Sequence, residues 1–123
     1  MVLRIGIIDD NAMILDALIF VLRDKGLETS VADNAFNGLS MIENTPLDAV
    51  IVDLNLPGMK GDALVREIRS RHPDLAIVLT SGGSTAPEGS IGEDGADAFL
   101  PKPFTPKVLL ACIADVTASR GAQ

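Results

Sequence analysis

Ala49-Val50-Ile51-Val52-Asp53 decides the fold. A run from about Asp48 to Val52 that is apolar on both faces reads as a central strand, buried between two helix layers. It ends on a carboxylate. The same pattern recurs three times: Ile5-Gly6-Ile7-Ile8 runs into Asp9-Asp10, Leu75-Ala76-Ile77-Val78-Leu79 into Thr80-Ser81, and Ala98-Phe99-Leu100-Pro101 into Lys102-Pro103-Phe104. In a parallel sheet all these strand ends share one edge, so residues distant in sequence converge. Crowded carboxylates repel one another unless a cation joins them, and a hydroxyl and an ammonium nearby suit a phosphate. The pattern points to phosphoryl chemistry that needs no cysteine, histidine or tryptophan.

Outward from these runs, apolar strands alternate with helical patterns, which predicts βαβ units. The first strand covers about Leu3 to Ile8. Leu15, Leu18, Ile19 and Leu22 then repeat at helical spacing, with Asp10 or Asn11 as the cap and Gly26 as the stop. The second strand covers Leu27 to Ala32. Asp33 or Asn34 opens a helix that turns Ala35, Leu39 and Ile42 inward and ends at Thr45-Pro46. A turn-rich loop, Leu56-Pro57-Gly58-Met59-Lys60-Gly61, leads to a helix over Asp62 to Arg71 with Leu64, Val65 and Ile68 inward. Arg69, Arg71 and His72 carry the charge that a helix C-terminus favours, and Pro73 closes the element. Strands follow over Leu75–Thr80 and Ala96–Leu100. The last helix, Thr105 to Ser119, buries Leu109, Cys112, Ile113 and Val116. Ser84 to Asp94 occupies the place of a fourth helix but holds Pro87, Gly89 and Gly92, which cost about 3 and 1 kcal/mol each in a helix interior. A short, frayed or irregular element is expected there.

The chain has 123 residues, enough for one domain, taken as 1–123 with no output domain. Hydrophobic content of 47% excludes disorder, and only 3% aromatic residues makes the core aliphatic. A net charge of −7 argues against direct nucleic-acid binding and suits divalent cations or a basic protein partner. The lone Cys112 excludes an intramolecular disulfide and fits a reducing, cytoplasmic setting. No apolar stretch is long enough to span a membrane. Gly82-Gly83-Ser84 is not a P-loop, because no Gly-Lys-Ser/Thr follows. His72, beside Pro73, reads as a solvated residue at a helix end.

Asp9-Asp10, Asp53, Thr80 and Lys102-Pro103-Phe104, with Leu56-Pro57-Gly58-Met59 and Gly95-Ala96-Asp97, together resemble the receiver domain of response regulators in two-component signalling. The resemblance implies an α/β, doubly wound, three-layer αβα fold of the flavodoxin-like or CheY-like kind, with a five-stranded parallel sheet in the order 2-1-3-4-5 and the site at the carboxyl ends. It implies Asp53 as phosphoacceptor, which attacks phosphorus to form an acyl phosphate. Mg²⁺ would be held by Asp10 and Asp53 directly, by Asp9 through water and by the Asn55 carbonyl. Lys102, before a cis proline, would supply fixed positive charge. Thr80 would bond the phosphoryl group, and Phe99 would rotate into the space Thr80 leaves. With phenylalanine there, no ring hydroxyl is present and such a switch works through packing. Implied partners are a histidine kinase or phosphotransfer protein and a downstream protein target, with the chain a monomer or a weak phosphorylation-dependent dimer. Lys60 departs from the pattern, since family members commonly carry an acidic residue there.

Two other readings fit parts of the sequence. A haloacid-dehalogenase-like phosphatase also uses an aspartyl phosphate and Mg²⁺, but places its nucleophile in Asp-x-Asp after the first strand, where this chain has Asp9-Asp10-Asn11. A receiver-fold scaffold that signals without phosphate is the other.

Overall fold

A computed structural model describes residues 2–83 and 85–121. Strands β1 (Arg4–Ile8), β2 (Glu28–Ala32), β3 (Ala49–Asp53), β4 (Ala76–Ser81) and β5 (Ala98–Pro101) form one parallel sheet in the order β2-β1-β3-β4-β5. Helices α1 (Ala12–Asp24) and α4 (Pro106–Gly121) cover one face, and α2 (Ala35–Asn44) and α3 (Gly61–Arg71) the other. The alternation of side chains along each strand splits the core accordingly. Ile5, Ile7, Ala49, Ile51, Ala76 and Val78 face α1 and α4, while Ile8, Val50, Val52, Ile77 and Leu79 face α2 and α3. Every residue of β3 is buried, as its apolar run requires of a central strand.

The helix caps resolve two ambiguities. Asn11, not Asp10, caps α1: its Oδ1 accepts the N–H groups of Met13 and Ile14 at 3.0 and 3.1 Å. Asn34 caps α2 by accepting the Asn37 N–H at 2.8 Å. Asp10 is thereby left free of the capping role.

Between β4 and β5 the described residues form turns rather than a helix, so the fold has four helices among them. Ser84 of the expected irregular segment lies outside the described residues. Ser90 anchors the rest: its Oγ and its N–H both donate to the Pro87 carbonyl, at 2.6 and 3.1 Å. The Ala96 N–H returns to the Ser90 carbonyl at 2.8 Å. Gly95 permits this closure, because a Cβ there would lie 2.3 Å from the Ser90 oxygen. The turn displaces the start of β5 from the expected Ala96 to Ala98, with Ala96 bridged to Ile91 instead.

Arg69, expected only as a cation that suits the C-terminus of its helix, is buried. It is only 6% exposed. Its guanidinium donates to the carbonyls of Gly95 (3.1 Å), Pro73 (3.1 Å) and Leu75 (2.6 Å) and pairs with Asp97 at 3.0 Å. Burial lowers its pKa below the usual guanidinium value, and the Asp97 carboxylate opposes that shift. Asp97 also accepts the Ile77 N–H at 2.8 Å and pairs with Arg120 at 2.8 Å. This network binds the end of α3 and the end of α4 to the turn that stands in for a helix. His72 is half-buried with its Nε2 3.3 Å from Glu43, rather than fully solvated. Cys112 is half-buried against the α1/α4 side of the core, and burial pushes its thiol pKa up.

Candidate functional site

The carboxyl edge of the sheet gathers the strand-end residues. Asp9 follows β1, Asp53 ends β3, Thr80 lies in β4, and Lys102 follows β5. One carboxylate oxygen from each of Asp9, Asp10 and Asp53 falls within 4.8 Å of the others. Lys102 Nζ reaches Asp9 Oδ2 at 2.9 Å and Asp53 Oδ1 at 3.5 Å. Asp9 and Asp53 are buried, and Asp10 is exposed.

Local backbone geometry holds each group. The Asn11 N–H donates to Asp9 Oδ1 at 2.9 Å and the Asn55 N–H to Asp53 Oδ1 at 3.4 Å, so Asn55 sits directly against the central carboxylate. The Lys102 N–H donates to the Ser81 carbonyl at 2.7 Å, which joins the lysine loop to the end of β4. The Lys102–Pro103 peptide is cis. Thr80 is buried, and among the described residues its hydroxyl makes only a long 3.4 Å bond, donated to the Val52 carbonyl. Phe99 is half-buried and packs on the α2/α3 side of the core.

The charges do not cancel. One ammonium faces three carboxylates. Burial raises the Asp53 pKa above the ordinary aspartate value; Lys102 pulls it down and Asp9 pushes it up. An all-oxygen, net-negative cluster of this kind is the donor set that a hard divalent cation takes. Asp9, Asp10 and Asp53 could therefore hold such an ion.

Gly61 was legible only as part of a turn-rich loop, yet it shapes the site. Its N–H donates to the Leu54 carbonyl at 2.7 Å, and a Cβ there would lie 2.4 Å from both the Asp53 carbonyl oxygen and Leu54 Cα. Gly61→Ala is expected to push on the backbone that carries Asp53 and to cost about 2 kcal/mol, the scale of an overpacked interior. Urea denaturation checks this; an unchanged midpoint would show that the loop yields freely.

A parallel five-stranded sheet in this strand order, with four helices in two layers, defines the CheY-like, flavodoxin-like class of α/β domain. The chain matches the response regulator receiver domain over residues 5–114 and belongs to that family, whose members serve two-component systems. A CheY-like receiver domain protein from Methanospirillum hungatei JF-1 superposes with a TM-score of 0.91 at 31% identity, covering 99% of this chain and 98% of that one. A probable transcriptional regulatory protein of Picosynechococcus is 35% identical over 116 residues, covering 88% of this chain and 46% of the relative. The DNA-binding response regulator MtrA of Mycobacterium tuberculosis H37Rv is 35% identical over 108 residues, covering 88% and 47%. The chain thus spans about half the length of these curated relatives. Family membership removes the dehalogenase-like alternative, and Asn11 caps α1 where that motif needs a second aspartate. No helix among the described residues is long and apolar enough to cross a membrane.

Proposed function

We propose that the domain, 1–123, is a phosphorylation switch that takes a phosphoryl group on Asp53 from a histidine kinase or phosphotransfer protein. The observation that carries this reading is the contact of Lys102 with both Asp9 and Asp53 inside the carboxylate cluster. An Asp53 oxygen attacks phosphorus; the new O–P bond forms as the P–N bond of a phosphohistidine breaks, and the imidazole leaves with the electron pair. Charge spreads over the phosphoryl oxygens during transfer, so catalysis is mostly positioning and neutralisation. Asp10 and Asp53, with Asp9 through water and the Asn55 carbonyl, would hold Mg²⁺, which when bound supplies positive charge at the phosphoryl oxygens.

Lys102 is already oriented toward Asp53 and meets the charge that develops there. Lys102→Met is expected to slow phosphoryl incorporation at least tenfold, as loss of one preorganised donor does. Stopped-flow labelling with acetyl phosphate measures it, and an unaltered rate would remove Lys102 from catalysis. Thr80, loosely bonded in the ground state, turns toward the phosphoryl oxygens. Phe99 then repacks into the space vacated, and the altered surface is read by a downstream protein. Attack of water on the acyl phosphate ends the signal. The acidic charge balance favours a protein partner over nucleic acid for this domain, which acts in the cytoplasm as a monomer or a weak phosphorylation-dependent dimer. Acetyl phosphate or beryllofluoride with Mg²⁺ is the test. If neither modifies or perturbs the wild-type chain, the scaffold reading replaces this one.

A further inference from the structure

A groove of about 650 Å³ opens beside the phosphoacceptor, walled by Asp10, Asn55, Leu56, Lys60, Asp62 and Pro87. Lys60 is the one cation on its described lining. It is exposed, and its ammonium forms no ion pair or hydrogen bond with the described residues, whereas Asp62 is 4.0 Å from Arg66. Lys102 is engaged by Asp9 at 2.9 Å and Asp53 at 3.5 Å. Lys60 therefore sets an unengaged ammonium on a lining that also carries the carboxylates of Asp10 and Asp62.

We propose that Lys60 is a positioning residue that favours the more highly charged phosphodonors, by attracting their anionic phosphoryl group into this groove. The proposal rests on the reading of Asp53 as phosphoacceptor and adds donor selection to it. With acetyl phosphate, the Asp53 oxygen forms the O–P bond while acetate departs with the electrons of the bond it breaks. Lys60 takes no part in that exchange of bonds; it raises the local concentration of the dianion before it. A single charge removed at groove-width distance weakens attraction of a dianion by about fivefold in a watery dielectric, and that of a monoanion by about twofold.

The experiment measures the second-order rate constant of Asp53 labelling with acetyl phosphate, a dianion, and with phosphoramidate, a monoanion near neutral pH, in the full chain with Mg²⁺. Lys60→Gln is expected to lower the acetyl phosphate constant about fivefold and the phosphoramidate constant about twofold. Lys60→Glu doubles the charge change and lowers the first about 25-fold. Lys60→Arg keeps the wild-type constants, and added salt slows wild type more steeply than Lys60→Gln. Equal constants for wild type and Lys60→Gln would overturn the proposal. So would an equal deficit with both donors that Lys60→Arg fails to rescue, since that is a structural effect. Wild type left unlabelled at Asp53 by either donor would overturn the phosphoacceptor reading and this one with it.

Discussion

Arg69→Met is expected to cost about 3 kcal/mol of stability, a large share of the 5–15 kcal/mol that holds a domain of this size together. The substitution keeps the apolar stem but removes a buried charge that pairs with Asp97 at 3.0 Å. It also strips the Gly95 and Leu75 carbonyls of their guanidinium donor. Leaving buried acceptors unpaired costs more than the bonds themselves contribute. Asp97 keeps the Ile77 N–H and Arg120, which holds the loss to the lower end of the range for broken buried pairs. Arg120→Met supplies the comparison. Arg120 has 27% of its side chain exposed, and its loss is expected to cost about 1 kcal/mol. Urea denaturation of both variants gives the ratio. Amide exchange adds a second readout: residues 90–97, whose turn Arg69 anchors, are expected to exchange faster in Arg69→Met. Equal destabilisation by the two substitutions would show that the buried arginine is no keystone.

Asp53→Asn is expected to abolish phosphoryl incorporation outright. Asparagine keeps the shape but has no anionic oxygen to attack phosphorus. The same change tests the charge balance of the site. In chelator-treated protein it removes one of three crowded carboxylates, one whose pKa is raised, chiefly by burial. A carboxylate with a raised folded-state pKa costs stability once pH climbs through that value, so at neutral pH its removal relieves the fold. The melting temperature of metal-free Asp53→Asn is therefore expected to exceed that of metal-free wild type by a few degrees. Excess Mg²⁺ should narrow or reverse this gap by binding the wild-type cluster more tightly. A variant that melts lower than wild type in chelator would mean that the Lys102 contact outweighs the repulsion.

The parallel sheet was legible because its strands are short apolar runs separated by helical periodicity, and β3 has no polar face to misread. The site was legible for a topological reason: one edge of such a sheet collects every strand end, so Asp9, Asp53, Thr80 and Lys102 had to meet. Features set by close packing were not legible. Arg69 at the end of α3 looks the same in sequence whether it serves a helix dipole in water or a half-buried carboxylate 28 residues away. Asp10 and Asn11 are equally good caps, and only geometry divides capping from the carboxylate cluster. Gly61 and Gly95 look like ordinary turn glycines until backbone atoms are found 2.4 and 2.3 Å from where a Cβ would stand. The Gly/Pro content of 84–94 did announce a short, frayed or irregular element there. It did not announce that Ser90, Gly95 and Arg69 would fix the described part of that segment into an ordered turn.

The central claim is that Asp53 is the phosphoacceptor of a cation-dependent site. Its most direct measurement is intact-mass analysis of the wild-type chain after acetyl phosphate with Mg²⁺, followed by borohydride reduction and peptide mapping. The account predicts one added phosphoryl group, homoserine in place of aspartate at position 53 after reduction, and no labelling in chelator. Labelling that maps to Asp9, Asp10 or His72, or that proceeds equally in chelator, would contradict it.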